Sequence, residues 1–179
     1  MTHSPNKKTP QTNVKKLTLL AVYAPIALTI FTAESFLPPL VPLPGVKLGL
    51  SNIVTLWLLM HTKARDALWV LLARIVLSSF FAGQMISLLY SLAGGIFCFA
   101  AMALLFRILG SKYIVFISIF GALFHNLGQI IIAICITQLP SMAAYLPVLA
   151  ISGVATGAFT GLCAFYLKRH LPPKIAWPM

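Results

Sequence analysis

Clusters of positive charge fall on alternate sides of a series of strongly apolar stretches, and this alternation limits what the chain can fold into. Lys7, Lys8, Lys15 and Lys16 precede the first stretch, and Lys63 and Arg65 follow the second. Arg107 and Lys112 follow the fourth, and Lys168, Arg169 and Lys174 follow the last. The connections between these points hold almost no cations apart from Lys47. Cytoplasmic loops retain Lys and Arg. The pattern therefore predicts an all-α polytopic membrane protein with six transmembrane helices. Both termini and the two basic loops would be cytoplasmic, in a bacterial inner or plasma membrane.

Composition agrees. Thirteen Lys and Arg accompany two acids, Glu34 and Asp66, in 179 residues that are 60% hydrophobic, with a mean hydropathy of +0.96. One compact membrane domain fits this length. No basic, aromatic-interleaved face lies outside the apolar runs, so the net charge of +11 does not indicate nucleic acid. The cations instead set topology and touch anionic headgroups. Cys98, Cys135 and Cys163 lie inside apolar runs and match neither a disulfide framework nor a zinc spacing. Lys15-Lys16 before an apolar run imitates a signal peptide. No small-x-small cleavage site closes that run, however, so an uncleaved first helix is expected.

The expected organisation is a disordered cytoplasmic tail over 1–16, a transmembrane domain over 17–168 and a second cytoplasmic tail over 169–179. Helix 1 covers 17–36, bent at Pro25. Residues 37–45 hold four prolines and are expected to run extended as an outer lid. Helix 2 covers 47–61, short for a span. Helix 3 covers 64–81, with Asp66 complementing the dipole of its first turn, and Gly83-Gln84 turns into helix 4 at 85–109. Helices 5 and 6 cover 113–139 and 145–167.

Polar side chains kept at membrane depth face the bundle interior. Rise per residue, about 1.5 Å, puts Arg74 near mid-membrane, Glu34 roughly 10 Å further out, and Asn52 within the outer part of helix 2. His125, Asn126 and Gln129 share one face of helix 5. These groups, from four helices, converge on the outer half. Asn52, Asn126 and Gln129 also suit ordinary interhelical hydrogen bonding, His125 suits a satisfied core histidine, and Arg74 suits a structural pair with Glu34. With Lys47 at the rim, the cluster carries slightly more positive than negative charge, which favours a ligand bearing phosphate or carboxylate. Gly94-Gly95 makes room for a ligand against helix 4. Gly153, Gly157 and Gly161 form a small-residue strip on helix 6, either packing inside the bundle or docking a partner subunit.

No glycine-rich phosphate loop is present, so the chain does not itself couple ATP. No metal-ligand cluster or cofactor motif appears. One Asp and one Glu cannot build two aspartate-rich magnesium sites, so an enzyme is not expected.

Several of these motifs carry a resemblance: Glu34, then 44–56 (PGVKLGLSNIVTL), Arg65-Asp66-Ala67, Arg74, Ser91-Leu92-Ala93-Gly94-Gly95, His125-Asn126-Leu127-Gly128-Gln129 and Tyr145-Leu146-Pro147. In this order they resemble the Gx transporter family, also catalogued as heptaprenyl diphosphate synthase component I. Such proteins are similar in size and topology to the substrate-binding (S) components of energy-coupling factor transporters. The resemblance implies capture of a small molecule from outside, a loop after helix 1 gating the pocket, and a partner scaffold with ATPases. The leading expectation is a substrate-binding subunit in the lipid bilayer. The alternative is a non-catalytic membrane subunit of an isoprenoid or quinone system.

Overall fold

A computed structural model describes residues 10–36, 49–82 and 85–170. Among these the chain is helical, with no strand: α1 (Pro10–Glu34), α2 (Asn52–His61), α3 (Ala64–Ala82), α4 (Met85–Leu109), α5 (Ile114–Thr137) and α6 (Leu146–His170). Short 3-10 helices at Gly110–Tyr113 and Pro140–Tyr145 join α4 to α5 and α5 to α6. The proline-rich stretch, Lys47, the turn at Gly83-Gln84 and the extreme termini lie outside the described residues.

Two boundaries differ from expectation. Helix α1 reaches back to Pro10, into the segment read as a tail, because proline at a first helical position costs no hydrogen bond. Helix α2 begins at Asn52 rather than at 47. Gly49 has φ +81°, a left-handed conformation that a helix cannot pass through, and it sets the start of α2 beyond itself. Elsewhere the chain stops where turn chemistry demands. Gly110 at φ +68° closes α4, and Gln138 at φ 57° caps α5 through a bond from its N–H to Ile134 O.

The shortest helix is central. Helix α2 packs against all five other α-helices, and Leu56 and Leu58 on it are fully buried. Around it, α5 lies along both α4 and α6, while α3 joins α1 to α4. Val54, Leu58 and Leu59 of α2 meet Ala24 and Ala27 of α1, Val70 of α3, Cys98 and Met102 of α4, and Ile114 and Ile117 of α5 in one apolar core.

Glycine strips make the tightest contacts, and they settle the role of the strip on α6. A Cβ on Gly157 would stand 2.6 Å from Ile119 Cα, and one on Gly161 2.7 Å from Val115 Cα. A Cβ on Gly153 would stand 2.8 Å from Asn126 Nδ2. Gly153, Gly157 and Gly161 are thus buried against α5 of their own chain, which is the packing alternative of the two and not the docking one. Ser118 and Thr160 hydrogen-bond across the same seam at 2.8 Å.

The outer surface is apolar. Phe80, Ile151, Trp69, Leu104 and Phe159 are all at least 60% exposed. Ile86–Thr137 (α4 through α5) and Pro140–His170 are long and apolar enough to cross a membrane, and Leu20–Glu34 and Asn52–His61 are shorter apolar helices. Soluble monomers rarely leave so much contiguous apolar surface in water.

Candidate functional site: a buried polar centre at the start of α2

The turn from Gly49 to Ser51 enters the bundle at the start of α2, and the first amides of α2, those of Asn52, Ile53 and Val54, bond back to the carbonyls of Gly49, Leu50 and Ser51. The first N–H groups of a helix have no partner within it. A serine before an apolar run normally supplies one by side-chain capping. Ser51 does not; its hydroxyl accepts a hydrogen bond from Arg74 Nη1 instead. The two amides before the N-cap are met from α1: Glu34 accepts from Gly49 N at 2.6 Å with one carboxylate oxygen and from Leu50 N at 2.9 Å with the other. A carboxylate here also complements the positive end of the α2 dipole.

Arg74 lies within electrostatic reach of Glu34. Both engage the same turn, Glu34 through the Gly49 and Leu50 amides and Arg74 through the Ser51 hydroxyl. Both ions are buried, Arg74 at 3% and Glu34 at 4% exposure, where an unpaired charge would cost several kcal/mol, about 3–5 when one partner is removed.

His125 closes the other side. Its ring lies between two glycines. A Cβ on Gly49 would stand 3.2 Å from His125 Nε2 and 2.8 Å from Asn52 Nδ2. A Cβ on Gly94 would stand 2.9 Å from His125 Nδ1 and 3.1 Å from Gln129 Cγ. Gly94 therefore admits α5, whereas Gly95, next in sequence, faces α3 near Ile75 and Arg74 Nη2. Sequence reasoning grouped the two glycines; the helical turn of 100° between them sends each to a different neighbour.

The same rotation separates the helix α5 polar residues. His125 and Gln129 face the centre with Gly94. Asn126 faces α6, where its Nδ2 donates to Leu149 O at 2.6 Å. Asn126 is thus an interhelical tie, one of the two readings its sequence position allowed. Of the expected site residues, Glu34, Asn52, Arg74, Gly94, Gly95, His125 and Gln129 are brought together, and Lys47 lies outside the described residues. Sequence reasoning missed Gly49, Leu50 and Ser51. The Gly-Leu-Ser-Asn order before an apolar run was the available signal, since it joins a left-handed turn former to a cap residue.

Polar atoms at this centre are left over. Asn52 Oδ1 and Nδ2, Arg74 Nε, His125 Nδ1 and Gln129 Oε1 are buried without a hydrogen-bond partner. His125 Nδ1 lies near the Gly94 backbone without good hydrogen-bond geometry. Native interiors satisfy nearly all buried polar groups, so several orphans in one cluster mark a place built for a further polar partner.

Fold and site define a class: an all-helical bundle with an apolar exterior and a polar centre lodged against a broken-off helix start. By sequence the chain belongs to the heptaprenyl diphosphate synthase component I family, whose profile matches residues 23–167. No curated protein and no solved structure matches the chain.

Proposed function

We propose that this chain is an integral membrane subunit that captures a small polar organic molecule at the centre formed by Glu34, Asn52, Arg74, His125 and Gln129. One observation carries the reading: a ten-residue helix begins inside the bundle, and orphaned polar side chains surround its first turn. Ten residues rise about 15 Å, half of the roughly 30 Å of bilayer hydrocarbon. Transporters use such half-helices to aim backbone dipoles at bound substrates, and non-helical backbone is tolerated at membrane depth only where protein buries it or water reaches it. In this reading the six helices are membrane segments, α2 is a half-length one, and the basic ends at Lys63, Arg65, Arg107, Lys112, Lys168 and Arg169 face the cytoplasm. The exposed apolar flanks are the lipid-facing surface. Transport would draw on a partner with ATPases, since the chain carries no nucleotide motif.

The test is native mass spectrometry of the purified protein with Arg74→Leu and His125→Ala beside it. A bound small molecule is expected in wild type and lost in both variants. Equal occupancy in all three would end the proposal.

A second reading has its own support, the family match itself. The chain would then be a non-catalytic membrane subunit of an isoprenoid system, its apolar helices holding a prenyl tail. Asp66 and Glu34 are its whole acidic complement, too few for the paired metal sites of prenyl transfer. Recovery of a bound prenyl lipid, unaffected by Arg74→Leu, would favour it.

A further inference from the structure

We infer that the polar centre selects a ligand of zero net charge, bringing its own N–H or O–H donors together with a carbonyl-type acceptor, and that Glu34 enforces this by already occupying the positions an anionic group would take. The inference rests on the capture reading and specifies its substrate class.

The charge count comes first. Glu34 and Arg74 are the two buried side chains of full charge among the described residues, with His125 counted as the neutral ring. They cancel, so the described residues of the centre have no net charge to offer an incoming anion. Lys47, which tilted the sequence-based expectation toward phosphate or carboxylate, lies outside the described residues.

The helix-start amides and one Arg74 nitrogen, donors that would recognise an anion, are also spoken for. A helix start with a cation beside it is a ready anion site. Here both carboxylate oxygens of Glu34 hold the Gly49 and Leu50 amides, and Arg74 Nη1 is turned to Ser51. A second anion would meet a carboxylate where it needs amides.

What remains is mixed. Asn52, 4% exposed at the first position of α2, has both amide atoms unpartnered, so it offers one donor and one acceptor whichever way the amide is turned. Arg74 Nε adds a donor, Gln129 Oε1 an acceptor, and His125 Nδ1 either. Paired donors and acceptors suit a carboxamide, a cyclic amide or a ureide. They do not suit a diphosphate, which is acceptor throughout and would bring at least two negative charges to a single, already balanced cation.

Thermal unfolding in detergent tests this, with sodium formate and sodium pyrophosphate as probes against sodium chloride of equal ionic strength, on wild type, Glu34→Ala and Glu34→Ala/Arg74→Gln. Pyrophosphate is expected to leave wild type unshifted. Formate is expected to raise the Glu34→Ala midpoint by about 2–4 °C or more, by taking the place of the missing carboxylate, and to do nothing for the double variant. A wild-type shift with pyrophosphate, or a Glu34→Ala protein indifferent to formate, overturns the inference. If Glu34→Ala does not fold, the wild-type response to pyrophosphate decides alone. Wild type purified without a bound small molecule would instead sink the capture reading and leave these results standing.

Discussion

Replacing Arg74 by leucine removes a buried cation that faces the Glu34 carboxylate. The carboxylate keeps its two backbone amides, but a buried charge without its counter-ion costs about 3–5 kcal/mol. The Ser51 hydroxyl loses its charged donor, an interaction of about 1.5–3 kcal/mol that overlaps with that figure. For a domain of this size about 3–5 kcal/mol corresponds to a fall of roughly 6–20 °C in the unfolding midpoint. The diagnostic variant is Arg74→Leu/Glu34→Gln. If the two ions form one unit, removing the stranded charge restores part of the loss, and the double variant is more stable than the sum of the singles predicts. Coupled neighbours show interaction energies of about 0.5–3 kcal/mol. Unfolding in detergent, followed by the intrinsic fluorescence of Trp57 and Trp69, reads all four proteins. Additivity within about 0.5 kcal/mol would show that Glu34 and Arg74 do not act as a pair.

Other expectations follow from single contacts. Gly157→Ala forces a Cβ to 2.6 Å from Ile119 Cα, which backbone cannot yield, so it should cost about 1–3 kcal/mol or more by the same unfolding assay. Gly110→Ala meets nothing within 4 Å and should lose only the backbone cost of φ +68°, about 1–2 kcal/mol. A membrane-permeant maleimide should label Cys135, which is exposed, and leave Cys98 unmodified until the protein unfolds; prompt labelling of Cys98 would contradict its burial. For topology, Ser111→Cys and Ser141→Cys, both at exposed connections, should react with an impermeant reagent from opposite sides of the membrane. Labelling from one side would refute the six-span arrangement.

Much of the architecture is legible in the sequence because its signals are local. Gly110 after an apolar run ends α4, Met85–Leu109 carries no proline, and the paired basic residues mark helix ends. The polar centre is half legible. Depth arithmetic finds Arg74, Asn52, His125 and Gln129, because a costly group in an apolar helix stands out by itself. It does not anticipate that Glu34 and Arg74 meet on the 49–51 turn, and it leaves Asn126 open between the centre and an interhelical tie. Adjacent positions on a helix differ by 100°, and which of two faces meets α6 is a matter of packing that no single segment records.

The start of α2 shows why the remaining features belong together. A helix that begins at a membrane surface has water for its free amides. One that begins inside a bundle must find protein or ligand partners, because an orphaned amide there costs the desolvation of the group, about 1–3 kcal/mol. The carbonyls of Gly49, Leu50 and Ser51 answer that demand for the first three amides of α2, and Glu34 answers it for the two turn amides ahead of them, introducing a buried charge that Arg74 faces. Arg74 in turn takes the Ser51 hydroxyl that would otherwise cap the helix. Gly49 and Gly94 then let His125 come close to both. Each residue is explained by the one before it until Asn52, Gln129 and the Nδ1 of His125 are reached, and their unsatisfied atoms find no partner among the described residues. In a sequence of local necessities, those atoms are the point at which the protein's own structure stops supplying the reason, and a bound polar molecule is the partner that would complete it.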